Sequence, residues 1–389
     1  MKYIKNFCSN DFSKAIIKKY LGKPSSICPP SIKKKLDLTT DVSVIIPVYN
    51  EEKFITRLLD ALNLQIYRGF EVIVVDNGST DKTVKVIKNF KKKANYPLYL
   101  IQESTPGVDY ARKKGMDEVL KRLVKREKNP FHILITTDAD VISPKNWIKK
   151  IRKGFNASNI GGLAGTHEAS EEVENKIKKS TGISNYFNIV PSLIEFLEKN
   201  RIGMIKMSGP NSAFTAVAYA AGNGIQREYD SCGKPKLNEV NNLGRRIRSF
   251  GYNINPMNCR VIKNRRRELF EILNNIEDSY FPNQNSLNGR FNIIREDEVT
   301  LLNKACATVP KKSWEIYRYR MVYKVIRNFI FNTLAAGEIK AKNISRLFTP
   351  EEIKIFSKDS LSFKNRQTIN IFKKFLSRLE IKLYEPKRN

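Results

Sequence analysis

Between Asp41 and about residue 160 the chain alternates short β-rich hydrophobic runs with segments whose apolar residues recur at helical spacing, which restricts its fold more than any other feature. Val42–Val48, Phe70–Val75, Leu98–Gln102 and Phe131–Thr137 read as buried strands. Phe54, Ile55, Leu58, Leu59 and Leu62 form one helical face. After Asp76–Asp81 a second helix is expected, with Ser79 or Thr80 as N-cap and Val84, Ile87 and Phe90 inward. A helix from about Asp109 follows, then one opened by Pro144 with Trp147, Ile148, Ile151 and Phe155 on one side. Repeated β-α-β units imply a mostly parallel central sheet flanked by helices, an α/β class fold joined by right-handed crossovers.

Past Gly161 the pattern loosens. A strand at Gly162–Gly165, a helix near Ile183–Leu197, a turn-rich stretch from Gly203 to Leu237 and a helix over Asn241–Phe250 are expected. Beyond about residue 265 the chain reads as helical, basic and aromatic. Met321, Val322, Val325, Ile326, Phe329 and Ile330 mark an amphipathic helix suited to core packing or to a membrane surface. The expected division is 1–40 a basic segment and linker, 41–160 a ligand-binding half, 161–265 a second half, and 266–389 a helical basic region.

The sequence carries 70 Lys and Arg against 39 Asp and Glu, net +31. That excess favours anionic partners, unless it reflects only a lysine-rich composition. Five scattered cysteines without a CxxC pair argue against a disulfide framework and a zinc site. Residues 1–6 lack an apolar signal core, and no run reaches the roughly 18–20 apolar residues that span a bilayer. A cytoplasmic protein is expected, with peripheral contact on an anionic inner membrane face the further option.

Asp138-Ala139-Asp140 directly follows the fourth strand. In an open α/β sheet ligands bind at that edge. Two carboxylates at i and i+2 can share one hard divalent cation and leave coordination sites for phosphate oxygens. Ser43–Glu51 (SVIIPVYNE), Val74–Asp81 (VVDNGSTD), Pro106–Arg112 (PGVDYAR) and Asp138–Asp140, in this order and spacing, resemble the donor-side motifs of family 2 glycosyltransferases, inverting enzymes with the GT-A fold. The likeness covers about residues 41–260.

The resemblance implies a nucleotide-diphosphate sugar donor, UDP-linked by first expectation, and a hydroxyl acceptor on a glycan or lipid-linked saccharide of the cell envelope. It makes 41–160 the nucleotide-sugar half and 161–265 the acceptor half. A Pro47-fixed turn with Tyr49 and Glu51 would line the base pocket, and Asp76 and Asn77 would meet base or ribose. Family members often have two acids there; Asn77 departs from that. Asp140 would ligate Mn2+ or Mg2+, and Asp138 would hold ribose or a metal-bound water. Arg112 would pair with a phosphate or with one of these aspartates. Ser208–Phe214 resembles the segment between donor and acceptor sites, with Asn211 bonding a phosphate or sugar hydroxyl.

The family's general base is usually the Asp of a Glu-Asp pair before a Leu-x-x-Arg helix. Aligned on Leu243 and Arg246, the pair falls on Glu239 and Val240. Glu239 is then the candidate base, with Asp230 as the alternative. His132 is expected in the core and His167 in a loop at the sheet edge. The rival from another class is a non-catalytic relative of the fold that holds an anionic membrane or nucleic acid on its basic surface. Nucleic acid is not the expected partner, because two carboxylates at a binding mouth repel phosphate unless a cation intervenes.

Overall fold

The computed structural model describes residues 10–22, 40–125, 129–199, 205–229, 235–236, 238–274, 294, 296–327, 344–358, 361, 363 and 365–384. In chain order the elements are α1 (Asn10–Leu21), β1 (Val42–Val48), α2 (Ile55–Asn63), β2 (Phe70–Asp76), α3 (Thr83–Phe90), β3 (Leu98–Gln102), α4 (Val108–Lys125), β4 (Ile133–Thr136), β5 (Val141–Ile142), α5 (Trp147–Gly154), β6 (Ile160–Ala164) and β7 (His167–Glu168). Then come α6 (Glu171–Thr181), α7 (Ile189–Lys199), β8 (Ser212–Thr215), α8 (Ala216–Ala221), β9 (Glu228–Tyr229), β10 (Pro235–Lys236), α9 (Glu239–Ser249), β11 (Asn253–Pro256), β12 (Val261–Lys263), α10 (Arg266–Leu273), α11 (Glu298–Thr308), α12 (Lys311–Ile326), α13 (Pro350–Phe356) and α14 (Arg366–Tyr384). The chain forms two compact units. Met1–His167 and Lys206–Lys263 belong to the first; Glu168–Ile205, Asn264–Ser279 and Ile294–Asn389 belong to the second.

The first unit is built on a seven-stranded sheet of order β11-β6-β8-β4-β1-β2-β3. The strands run parallel except β8, which is antiparallel to both β4 and β6. β1 and β2 are buried along their whole length, the reason they read as continuous hydrophobic runs rather than alternating ones. On α2 the spacing of Ile55, Leu58, Leu59 and Leu62 puts all four in the core, each burial contributing about 1.5–3 kcal/mol. The mostly parallel α/β architecture expected from the sequence is the one observed. β8 was not legible: its four residues fall inside the stretch that reads as turns. Its register, Ile133↔Thr215 to Thr136↔Ser212, sets residues 209–211 just past the carboxyl end of β4.

At the opposite sheet edge His132 is buried, as expected. Its Nε2 lies 2.8 Å from Ser43 Oγ, which donates to Glu71 Oε1 at 2.7 Å, while Arg122 donates to both Glu71 oxygens at 3.1 and 3.3 Å. This network fastens the starts of β1, β2 and β4.

Among its described residues the second unit is helical after Glu168, where β7 (His167–Glu168) crosses over from the first. The helix expected near Ile183–Leu197 is α7, Ile189–Lys199; α6 precedes it where no helix was expected and ends at Gly182, in the left-handed region at φ 74°. Glu174 of α6 accepts the backbone N–H groups of Tyr186, Phe187 and Asn188 at 2.6, 2.8 and 2.9 Å, tying the linker down. Met321, Val322 and Ile326 of α12 are buried with Trp314 in this unit's core, which corrects the membrane reading for these residues. Phe329 and Ile330 lie outside the described residues. Among the described residues no helix is long and apolar enough to cross a membrane.

Candidate active site

The loops leaving β1 and β2 form one surface at the carboxyl edge of the sheet. Asn50 takes a left-handed backbone, φ 56°, and its Oδ1 accepts the Thr80 N–H at 2.8 Å. The Asn50 N–H donates to Ser79 Oγ at 3.0 Å and the Glu51 N–H to Thr83 Oγ1 at 2.8 Å. Tyr49 and Glu51 are half-buried on this surface, and buried Asp76 accepts from the Ser79 N–H at 3.2 Å.

Pro47 corrects one expectation. It lies inside β1, paired with Val75, and the turn begins two residues later. A proline fits there because the ladder to β4 stops at Ile45↔Thr136, so its missing N–H faces no strand partner. Asn77 corrects another. Its Nδ2 donates to Glu103 O at 2.9 Å and Thr105 O at 2.7 Å, and its Oδ1 accepts the Gly107 N–H at 2.8 Å. The amide therefore shapes the 103–107 loop, and its hydrogen-bonding groups are spent before a nucleobase arrives. Arg227 closes the same loop, donating to Asp109 at 2.7 and 2.5 Å and to Pro106 O at 3.1 Å.

The centre of the site is Arg112. Almost fully buried on α4, it donates through Nε to Thr136 Oγ1 at 3.1 Å, through Nη2 to Asp138 Oδ1 at 2.5 Å, and through Nη1 to Glu239 Oε1. One guanidinium thus joins the strand-edge acid to the candidate base 127 residues on. Of the two roles considered, the structure shows the pairing of Arg112 with an aspartate. Burial pulls its pKa down, but the Glu239 and Asp138 carboxylates outweigh that and hold it above the ordinary value. Gly209 makes room: a Cβ there would overlap Arg112 Nη2.

Glu239 opens α9, where the helix dipole favours a carboxylate. The preceding Asn238 sits at φ 127°, a strained backbone for a non-glycine residue, and its N–H points to Glu239 Oε2 at 3.3 Å. Val240, where the usual Asp of the pair would stand, is buried. Asp230 lies outside the described residues.

Asn211 is fully buried. Its Nδ2 donates to Thr166 O at 2.9 Å and Cys259 O at 2.8 Å, and its Oδ1 accepts from Trp147 Nε1 at 2.9 Å. It fastens three segments beneath the site instead of facing a phosphate or sugar hydroxyl. Sequence reasoning missed Lys263, whose Nζ lies 3.3 Å from Asp138 Oδ2. No local pattern marks it; only the antiparallel pairing of β12 with β5, Lys263↔Val141, brings it beside the acid pair.

Among the described residues no three His, Cys, Asp or Glu side chains form a group suited to a metal. Asp138 is held by Arg112 and Lys263, while Asp140 is half-buried at the mouth. Mg2+ and Mn2+ at phosphates often take one or two protein carboxylates and complete their shell with phosphate oxygens and water. The carboxylates at this edge are compatible with a divalent ion bound together with its substrate, and Asp140 is the residue that would hold it.

These features define an α/β domain with an acidic strand edge. Residues 43–221 match the family model described as glycosyl transferase family 2, and the chain carries a domain of that family. It is 36% identical over 78 residues to glycosyltransferase GlyA of Streptococcus pneumoniae, covering 20% of this chain and 11% of that protein. To the poly(ribitol-phosphate) beta-N-acetylglucosaminyltransferase TarS of Staphylococcus aureus it is 40% identical over 67 residues, covering 17% of this chain and 12% of that one. The chain thus spans about a tenth of the length of these two relatives. Among solved structures it is similar to a mannosyltransferase of Pyrobaculum calidifontis in complex with GDP-Man and Mn2+, at 15% identity and a TM-score of 0.43, covering 96% of this chain and 94% of that one.

Proposed function

We propose that this chain transfers a sugar, with inversion, from a nucleotide-diphosphate donor to a hydroxyl acceptor, and that Glu239 is the general base. The observation that carries the reading is the Arg112 bridge, which sets the candidate base one guanidinium away from the acid pair at the donor edge. Tyr49, Glu51 and Asp76 bound the nucleoside side of the site. Glu239 Oε1 is taken by Arg112, so Oε2 is the atom that accepts the proton of the attacking hydroxyl. The acceptor oxygen forms its bond to the anomeric carbon as the bond to the donor oxygen breaks, and that electron pair departs on the nucleotide diphosphate. A divalent ion held by Asp140 supplies Lewis-acid stabilisation of the diphosphate when bound.

UDP-sugars are the first donors to test, on the family resemblance. The acceptor class is a hydroxyl on a glycan or lipid-linked saccharide; TarS is named for transfer to poly(ribitol-phosphate), a polymer that also presents hydroxyls. The second half of the first unit would hold that acceptor, and the basic helices of the second unit would support peripheral contact with an anionic membrane. The test is a panel of sugar nucleotides with and without Mn2+, read by thermal shift and donor hydrolysis, since a ligand that binds only the native state raises its apparent stability. A rise with one donor class, lost on chelation and in Asp140→Asn, is the expected result. No shift with any sugar nucleotide overturns the reading.

A further inference from the structure

We propose that Lys263 is a diphosphate-binding residue, a protein cation that meets the leaving group beside the divalent ion; this rests on the donor-site reading above. Strand pairing places it there. β12 runs antiparallel to β5 with Lys263 opposite Val141, the residue after Asp140. Its position at the mouth is therefore set by backbone hydrogen bonds on a rigid ladder, not by a loop.

Of Arg112 and Lys263, both on Asp138, Lys263 is the one that can turn to a new anion. Arg112 is enclosed: three partners on two chain segments, and no room for a Cβ at Gly209 beside its Nη2. Lys263 has an 18% exposed side chain and one ion pair, at 3.3 Å, longer than the 2.7–2.9 Å of a well-formed charge-assisted bond. A lysine so covered is normally paired. Yet the Asp138 carboxylate is already compensated by Arg112 at 2.5 Å. The Lys263 ammonium can swing on its four-carbon stem from Asp138 Oδ2 to a phosphate oxygen without leaving the mouth, and Asp138 stays compensated when it does. Because charge on the diphosphate grows as the glycosidic bond breaks, the contact strengthens toward the transition state.

The test is calorimetric binding of UDP, GDP and the matching nucleosides to the full chain, in EDTA and in Mn2+, for wild type, Lys263→Gln and Lys263→Arg. Loss of one charge-assisted bond predicts about a tenfold or greater weakening of diphosphate binding in Lys263→Gln under both conditions. Nucleoside affinity should be unchanged, and Lys263→Arg should recover to within a few-fold. Equal diphosphate affinity in wild type and Lys263→Gln overturns the proposal. So does a parallel loss of nucleoside affinity, which marks a merely structural role. Wild-type protein that binds neither diphosphate overturns the donor-site reading, and this assignment with it.

Discussion

Replacing Arg112 by methionine removes the one group that compensates Glu239. The side chain of Glu239 is 10% exposed and keeps only the Asn238 N–H at 3.3 Å, whereas Asp138, 23% exposed, keeps Lys263. Most of the cost therefore falls on one buried carboxylate. Breaking a buried pair by removing one partner costs about 3–5 kcal/mol, and Arg112→Met should lower the stability of the first unit by that amount. For a unit of this size the change is roughly a 10 °C drop in Tm. The two units need separate probes, and the chain has two tryptophans: Trp147 in the first unit and Trp314 in the second. In a Trp314→Phe background the fluorescence of Trp147 reports urea unfolding of the first unit alone. Adding Glu239→Gln to Arg112→Met removes the orphaned charge and should recover about 2 kcal/mol, a coupling expected of residues in direct contact. A single-variant cost below about 1 kcal/mol, or strictly additive effects, would refute the bridge.

Glu239→Gln should lower kcat by about 10²–10⁴-fold and leave UDP affinity within a few-fold, measured by steady-state kinetics and calorimetry; a kcat within tenfold of wild type assigns the base elsewhere. Asn211→Ala strands Trp147 Nε1 and removes the side-chain donors to Thr166 O and Cys259 O, and should cost about 2–4 kcal/mol in urea unfolding, with less than 1 counting against its fastening role. In the second unit, burial pushes the Glu174 carboxyl above its ordinary value, and three backbone N–H groups with Arg265 pull it back without cancelling the rise. A folded-state pKa above the unfolded one gives stability that is complete below the unfolded carboxyl value, about 4.3, and is lost as pH rises through the folded value. The stability of wild type relative to Glu174→Gln, followed by urea midpoints from about pH 4 to 7, should therefore fall as pH rises; a flat difference contradicts the sign.

What the sequence determined by itself is the part that short-range periodicity encodes. Buried parallel strands are hydrophobic along their length and the intervening helices repeat every three to four residues, so β1 to β4 with their helices, and the acids at the strand ends, were readable from neighbours alone. Tertiary structure decided which polar groups those acids would meet. Asn77 and Asn211 looked like ligand contacts because an exposed amide is a good one, but each lies among backbone carbonyls of other segments and donates to them instead. β8 entered the sheet only because β4 and β6 offered it two edges, a pairing with no local signature. Arg112 and Glu239 stand 127 residues apart, and Lys263 reaches Asp138 through a strand ladder. Charge pairing over such separations is chosen by the assembled fold, because a buried charge takes whichever counter-charge the packed chain brings within reach.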